Sequence, residues 1–202
     1  MRVIVLTCRN REKMLQKLIE QLSADTEKPE VVICKDNFEK PLPKFKSTAW
    51  GNFQNGWREA KNGAAIFLED DAYLCDNFIS RAKAEIQKRP NEIIQFFSRR
   101  KFDEKLGSRY ISMSKFSSCV CYYLPVGYAE DLLAYSYKWY TALPDERYHS
   151  CPSDLMMANW GGERKYKYWN VVPNLAQHLG HRSEISPKRI GGRVSKTFQK
   201  HE

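Results

Sequence analysis

Ala64-Ala65-Ile66-Phe67-Leu68 runs without a break into Glu69-Asp70-Asp71, and that junction decides the fold. An unbroken apolar run of this length suits a strand covered on both faces, as in a parallel sheet. Acids directly after it stand where an open α/β sheet carries its ligand, outside the carboxyl end of a strand. Like charges held this close raise one another's pKa and work against folding, so a compensating cation is expected. Mg²⁺ or Mn²⁺ meets that need, because each takes one or two carboxylates and completes its shell with water and phosphate oxygens. Along a strand end Glu69 and Asp71 point to one side and Asp70 to the other. The pair Glu69 and Asp71 is therefore expected to face the ligand. The plain alternative is an acidic loop that caps the helix following Asp76.

Upstream, Val3-Ile4-Val5-Leu6 is a second continuous apolar run, followed by Met14, Leu15, Leu18, Ile19 and Leu22 at helical spacing. Val31-Val32-Ile33-Cys34 reads as another short buried strand, ending in Lys35-Asp36-Asn37. Strand, helix and strand make a βαβ unit. A helix over 52–61 stops at Asn62-Gly63 and leads into the acidic strand. Downstream, helices are expected over 77–88, 128–137 and 152–160, the last ended by Gly161-Gly162, with strands over 92–97, 117–124 and 168–172. The sum is one α/β domain over 1–183, with a mostly parallel sheet and helices on both faces, and a basic extension over 184–202.

Composition bounds the class. In 202 residues, 42% are hydrophobic and 13% aromatic, which excludes wholesale disorder. No apolar run approaches the ~20 residues that span a bilayer, so no membrane span is expected. The opening has one arginine and a short apolar run but no longer apolar region or cleavage site, and the cysteines at 8, 34, 75, 119, 121 and 151 form no C-x-x-C pair. A cytoplasmic chain with reduced thiols is the expectation. The net charge of +9 is concentrated: residues 95–116 and 182–202 each carry six Lys/Arg against two acids. Such clusters draw phosphates or nucleic acid, although solvated loops give the same pattern.

Read together, these strings resemble the GT-A glycosyltransferases, nucleotide-sugar enzymes built on a single Rossmann-like α/β domain. Phe67-Leu68-Glu69-Asp70-Asp71-Ala72 is similar to their D-x-D region, and Val3 to Arg11 to their first strand and nucleotide-facing loop. Val32-Ile33-Cys34-Lys35-Asp36 is similar to the second strand, whose terminal acid contacts the base, and 55–63 to the helix before the D-x-D strand. Pro173-Asn174-Leu175-Ala176-Gln177-His178-Leu179-Gly180-His181-Arg182-Ser183 resembles a segment of N-glycan-branching transferases in which the His is a metal ligand. The resemblance covers about residues 1–183.

It implies a metal-dependent transfer of a sugar from a nucleotide-diphosphate sugar, UDP among the candidates, to a hydroxyl, with inversion. Asp71 and His178 are implied as ligands of Mn²⁺ or Mg²⁺, and Thr7, Arg9, Arg11, Asp36, Asn55, Glu69 and Asp70 as donor-binding residues. Glu69 replaces the usual first Asp, which leaves it two roles, on the metal or on the ribose. Asp154, at the start of a short helix, is the implied base, with Asp145 and Glu146 as fallbacks; capping the helix dipole is its plain alternative. A lone His near an apolar strand is otherwise a hydrogen-bonded core residue. For the acceptor, the charge clusters favour a hydroxymethylated base in phage DNA, contacted by Arg99, Arg100, Lys188, Arg189 and Arg193. Surface-glycan, lipid-linked and protein acceptors stand beside it. A catalytically inactive nucleic-acid-binding module is the alternative of another class.

Overall fold

The computed structural model describes residues 1–45, 47–144, 153–179 and 194–200. Strand β1 (Arg2–Thr7), helix α1 (Glu12–Ala24) and strand β2 (Glu30–Lys35) form the expected βαβ unit, with the two strands parallel. Helix α2 (Ala49–Glu59) leads into β3 (Ala65–Glu69), which pairs parallel to β1 on its other side. The chain continues through β4 (Ala72–Leu74), α3 (Phe78–Lys88), β5 (Ile93–Gln95), α4 (Asp103–Leu106), β6 (Arg109–Ser112), β7 (Cys121–Leu124) and α5 (Tyr128–Ala142). It ends with α6 (Ser153–Glu163), β8 (Lys167–Asn170) and β9 (Ala176–His178). The main sheet has the order β2-β1-β3-β7-β5-β8-β6. Strand β7 is antiparallel to β3 and β5, and β6 to β8, whereas β5 and β8 are parallel. Strands β2, β1, β3, β5 and β8 thus run one way and β7 and β6 the other, a mostly parallel sheet with helices on both faces.

The apolar runs follow from that two-sided cover. In β1, Val3 and Val5 join Leu18, Leu22, Ile79 and Ala82 beneath α1 and α3. Ile4 and Leu6 join Trp50, Trp57, Leu132 and Met156 beneath α2, α5 and α6. Alternation puts every residue of the run in one core or the other, so none needs to be polar. Phe67 of β3 stacks on Tyr122 of β7 with ring centroids 5.0 Å apart.

Three expectations are corrected. The second strand is an edge, so only Cys34 of β2 is buried and Ile33 is 41% exposed. Gly161-Gly162 does not end α6, which runs on to Glu163. A Cβ on Gly161 would lie 2.4 Å from the Cβ of Met113, so this glycine serves a close approach to the turn at 113–115 rather than a stop. Strands β4, β6 and β9 join the strands expected from the sequence, each too short to show a clear alternation.

Two of these short strands position the site. Strands β4 and β9 pair antiparallel, with Ala72 opposite His178 and Leu74 opposite Ala176. The ribbon is tied to the main sheet where Leu175 N donates to Phe96 O (3.0 Å) and Cys75 N to Leu175 O (3.0 Å). Residues 194–200 pack against it: the Gln177 amide donates to Ser195 O (3.1 Å) and accepts from Ser195 N (2.7 Å), and Asp76 N donates to Lys200 O (3.0 Å). Among the described residues no helix is long and apolar enough to cross a membrane.

Gly161→Ala tests the packing of α6. Intrinsic helix propensity favours Ala by about 1 kcal/mol. The clash is with a Cβ fixed to the backbone, and such overpacking costs about 1–3 kcal/mol. Urea unfolding should therefore show a net loss of stability; a gain would place α6 further from Met113.

Candidate functional site

Strand β3 ends beside the ends of β1 and β7, and backbone bonds fix the three acids there. Glu69 N donates to Val120 O and Asp70 N to Leu6 O, both at 3.0 Å. The carboxylate of Asp70 turns towards β1, where its Oδ2 accepts from Thr7 Oγ1 (2.7 Å) and Cys8 N (3.3 Å). Its Oδ1 accepts from Arg11 Nη1 at 2.5 Å, and the same Nη1 donates to Asp71 Oδ2 at 3.0 Å. Asp71 turns the other way, towards the ribbon. Leu179 N donates to its carbonyl (3.0 Å), and His178 Nε2 lies 3.3 Å from Asp71 Oδ2.

Strand β3 stops at Glu69, and Asp70 and Asp71 lie in the turn before β4, so the partners of each carboxylate rather than a strand alternation sort the acids. One ligand atom each from Glu69, Asp71 and His178 lies within 4.8 Å of the others. Asp71 and His178 are buried and Glu69 half-buried. Asp71 Oδ1 is buried without a hydrogen-bond partner. An orphaned carboxylate oxygen beside a second carboxylate and an imidazole is a donor set that fits a divalent ion of the Mn²⁺ type.

The charges respond to burial and to each other. Burial disfavours ionised Asp71, but His178 and then Arg11 outweigh it and hold the carboxyl below its usual range. For Asp70 burial prevails over Arg11 and Thr7, and the carboxyl is raised. Burial also opposes the charge of Arg11, yet Asp71 and Asp70 prevail and its pKa rises.

Asp154 lies in the first turn of α6, half-buried. The Cys119 thiol, which donates to Met157 Sδ (3.5 Å), is pushed far above its usual value by burial, then by the nearby negative charges of Asp154 and Glu69. Cys119 precedes Val120, the backbone partner of Glu69, so Asp154 belongs to the same rim as the acidic strand end.

The other candidates are more scattered. Asp36 is buried next to Thr7, where its backbone N donates to Thr7 O (2.9 Å) and its carboxylate accepts from Thr48 Oγ1 and Phe38 N. Arg9 is exposed on the loop after β1. Asn55, in the middle of α2, accepts from Arg58 Nη1. The asparagine that reaches the rim is Asn52, whose Nδ2 donates to Thr7 O (3.0 Å) while its Oδ1 is buried without a partner. Sequence reasoning misses it because α2 starts at Ala49, earlier than its apolar pattern suggests. Arg99 is exposed, while Arg100 is tied to Tyr168 OH (2.9 Å) and Lys115 O. Lys188, Arg189, Arg193, Asp145 and Glu146 lie outside the described residues.

No family model matches the sequence, and no curated protein matches it. Among solved structures the chain is similar to S. aureus TarS 1-349 in complex with UDP-GlcNAc, with a TM-score of 0.51 and 10% sequence identity. That match covers 90% of this chain and 61% of the TarS chain, so this chain spans less than two thirds of its neighbour. A match to A197 from STIV covers 98% of both chains at a TM-score of 0.46 and 8% identity. The α/β fold expected from the sequence is the fold found.

Asp70 stitches β1, the loop after it and β3 together, so Asp70→Ala should be the more destabilising of two strand-end changes. The loss expected in urea unfolding is about 3 kcal/mol, at the low end for a broken buried pair because Arg11 keeps Asp71. Glu69→Ala should lose less. The reverse order would show that the stitch through Thr7, Cys8 and Arg11 does not hold the rim.

Proposed function

We propose that the protein is a metal-dependent glycosyltransferase that moves a sugar from a nucleotide-diphosphate donor to a hydroxyl acceptor, with inversion at the anomeric carbon. The observation that carries this reading is the convergence of Glu69, Asp71 and His178 at the carboxyl end of β3. The similarity of fold to TarS, a protein seen in complex with UDP-GlcNAc, supports it.

In this reading Asp71, His178 and Glu69 would hold a divalent ion, and the imidazole favours Mn²⁺ over Mg²⁺. When bound, such an ion neutralises charge on the leaving diphosphate. Asp70 has both oxygens engaged and instead keeps Thr7, Cys8 and Arg11 at the rim. Thr7, Asn52 and Asp36 then line the nucleotide side, with the buried Asn52 Oδ1 available to a donor N–H or O–H. Asp154 is assigned the base. Its carboxylate takes the proton of the acceptor hydroxyl while that oxygen bonds to the anomeric carbon and the bond to the diphosphate breaks.

A panel of nucleotide sugars incubated with Mn²⁺ tests the reading. Slow donor hydrolysis is expected, abolished by chelator and by Asp71→Asn. Asp154→Asn should bind donor as the parent does and lose about two orders of magnitude or more in transfer to an acceptor. Hydrolysis that continues undiminished in chelator would contradict the metal-dependent mechanism, and normal transfer by Asp154→Asn would move the base elsewhere.

A further inference from the structure

The role of Arg11 goes beyond donor contact, on the reading of Asp71 as a cation ligand. A single nitrogen of its guanidinium, Nη1, serves both Asp70 and Asp71, at 2.5 and 3.0 Å. The side chain is only 11% exposed. Asp71 Oδ2, which receives that bond, is also the oxygen nearest His178 Nε2. The positive charge of Arg11 therefore already occupies part of the electrostatic ground that a divalent ion would take. A second feature leaves the guanidinium with bonding capacity the pair does not use: Arg11 Nε is buried without a hydrogen-bond partner. A charged N–H left orphaned in a buried place is costly, and a guanidinium edge is shaped for two oxygens of one phosphate or carboxylate.

We propose that Arg11 is a positioning residue that couples the two ligands of the site: it competes with the cation for Asp71 while the site is empty, and it takes an oxyanion of the donor diphosphate on its unused edge. Asp70 keeps the guanidinium tethered in both states, since its Oδ1 accepts from the same Nη1 and its Oδ2 is held by Thr7 and Cys8. A phosphate on the Nε edge offsets the guanidinium charge, so Asp71 is screened less from the cation. By linkage the cation strengthens phosphate binding by the same factor. A free cation is then held weakly, and the cation and the diphosphate arrive as partners.

The test measures each ligand without the other, by calorimetry on the full chain. Mn²⁺ is titrated in the absence of nucleotide, and UDP is titrated in chelator. Arg11→Gln should bind Mn²⁺ more tightly than the parent, by about tenfold or more, the least that one neighbouring charge does to a carboxylate's affinity for a proton. The same variant should bind UDP about tenfold more weakly, since a charge-assisted fork is lost. Opposite signs are the signature. A residue that merely props the acids apart would weaken both titrations, and either titration left unchanged would likewise overturn the proposal. Arg11→Lys keeps the charge but not the fork, so it should leave Mn²⁺ affinity near the parent value and still weaken UDP. If Arg11→Gln does not fold, that variant decides alone, and unchanged UDP binding overturns the proposal. Asp71→Asn separates the competition from the cation site beneath it. Mn²⁺ bound by the parent, lost in Asp71→Asn and unaltered in Arg11→Gln refutes only the competition. Mn²⁺ binding that is absent from the parent, or untouched by Asp71→Asn, refutes the cation site itself.

Discussion

Two adjacent carboxylates, Asp70 and Asp71, are both 2% exposed at the end of one strand, and the rest of the rim is arranged around keeping them there. Burying ionised groups costs several kcal/mol each unless partners return it. The structure divides the partners by face. Asp70 is satisfied from β1 by Thr7, Cys8 and Arg11; Asp71 is held by Arg11 and by His178 from the opposite direction. Of the two, only Asp71 is left with an unused buried oxygen. The acid that stabilises the junction and the acid suited to a ligand are thus neighbours with different work, set by the partners each meets in the turn after β3.

The ribbon of β4 and β9 solves the second half of the problem, which is delivering an imidazole from the far end of the chain. Each strand has three residues, too few to be stable alone. They are held because Phe96 O receives the backbone of Leu175 and Ala176, and because residues 194–200 close over Gln177 and Asn174. Ala72, the residue after Asp71, pairs with His178 and so sets the imidazole beside that carboxylate. The loop after β1 and this ribbon therefore meet over the same carboxylate from two sides. On the other face α6 brings Asp154 to Cys119, beside the strand that flanks Glu69. Three separate parts of the chain converge on one strand end.

Much of this is legible from residue order. Strands β1 and β3 announce themselves because cover on both faces removes the need for polar residues, whereas the expected period of two stops at Glu69, since Asp70 and Asp71 lie in a turn. His178 is reachable only through the resemblance of its string, since its contact with Asp71 depends on a ribbon too short to leave a periodic signal. Asn52 escapes because α2 begins three residues before it and buries it, while Asn55 lies one turn further on, against Arg58. The glycines of α6 mislead for a physical reason. Sequence alone cannot distinguish a glycine that stops a helix from one that lets Met113 approach it. The cluster at 95–116 reads as a charged surface, yet it contains β6 and two arginines used internally, Arg100 on Tyr168 and Arg109 on Asp103.

The central claim is that Asp71, His178 and Glu69 hold one divalent cation. Pulsed electron paramagnetic resonance of the Mn²⁺-loaded protein reads the ligand atoms directly. The account predicts a nitrogen coupling from a single imidazole, lost in His178→Gln while Mn²⁺ still binds through the carboxylates at reduced affinity. A spectrum without nitrogen coupling, or a coupling that survives His178→Gln, would contradict it.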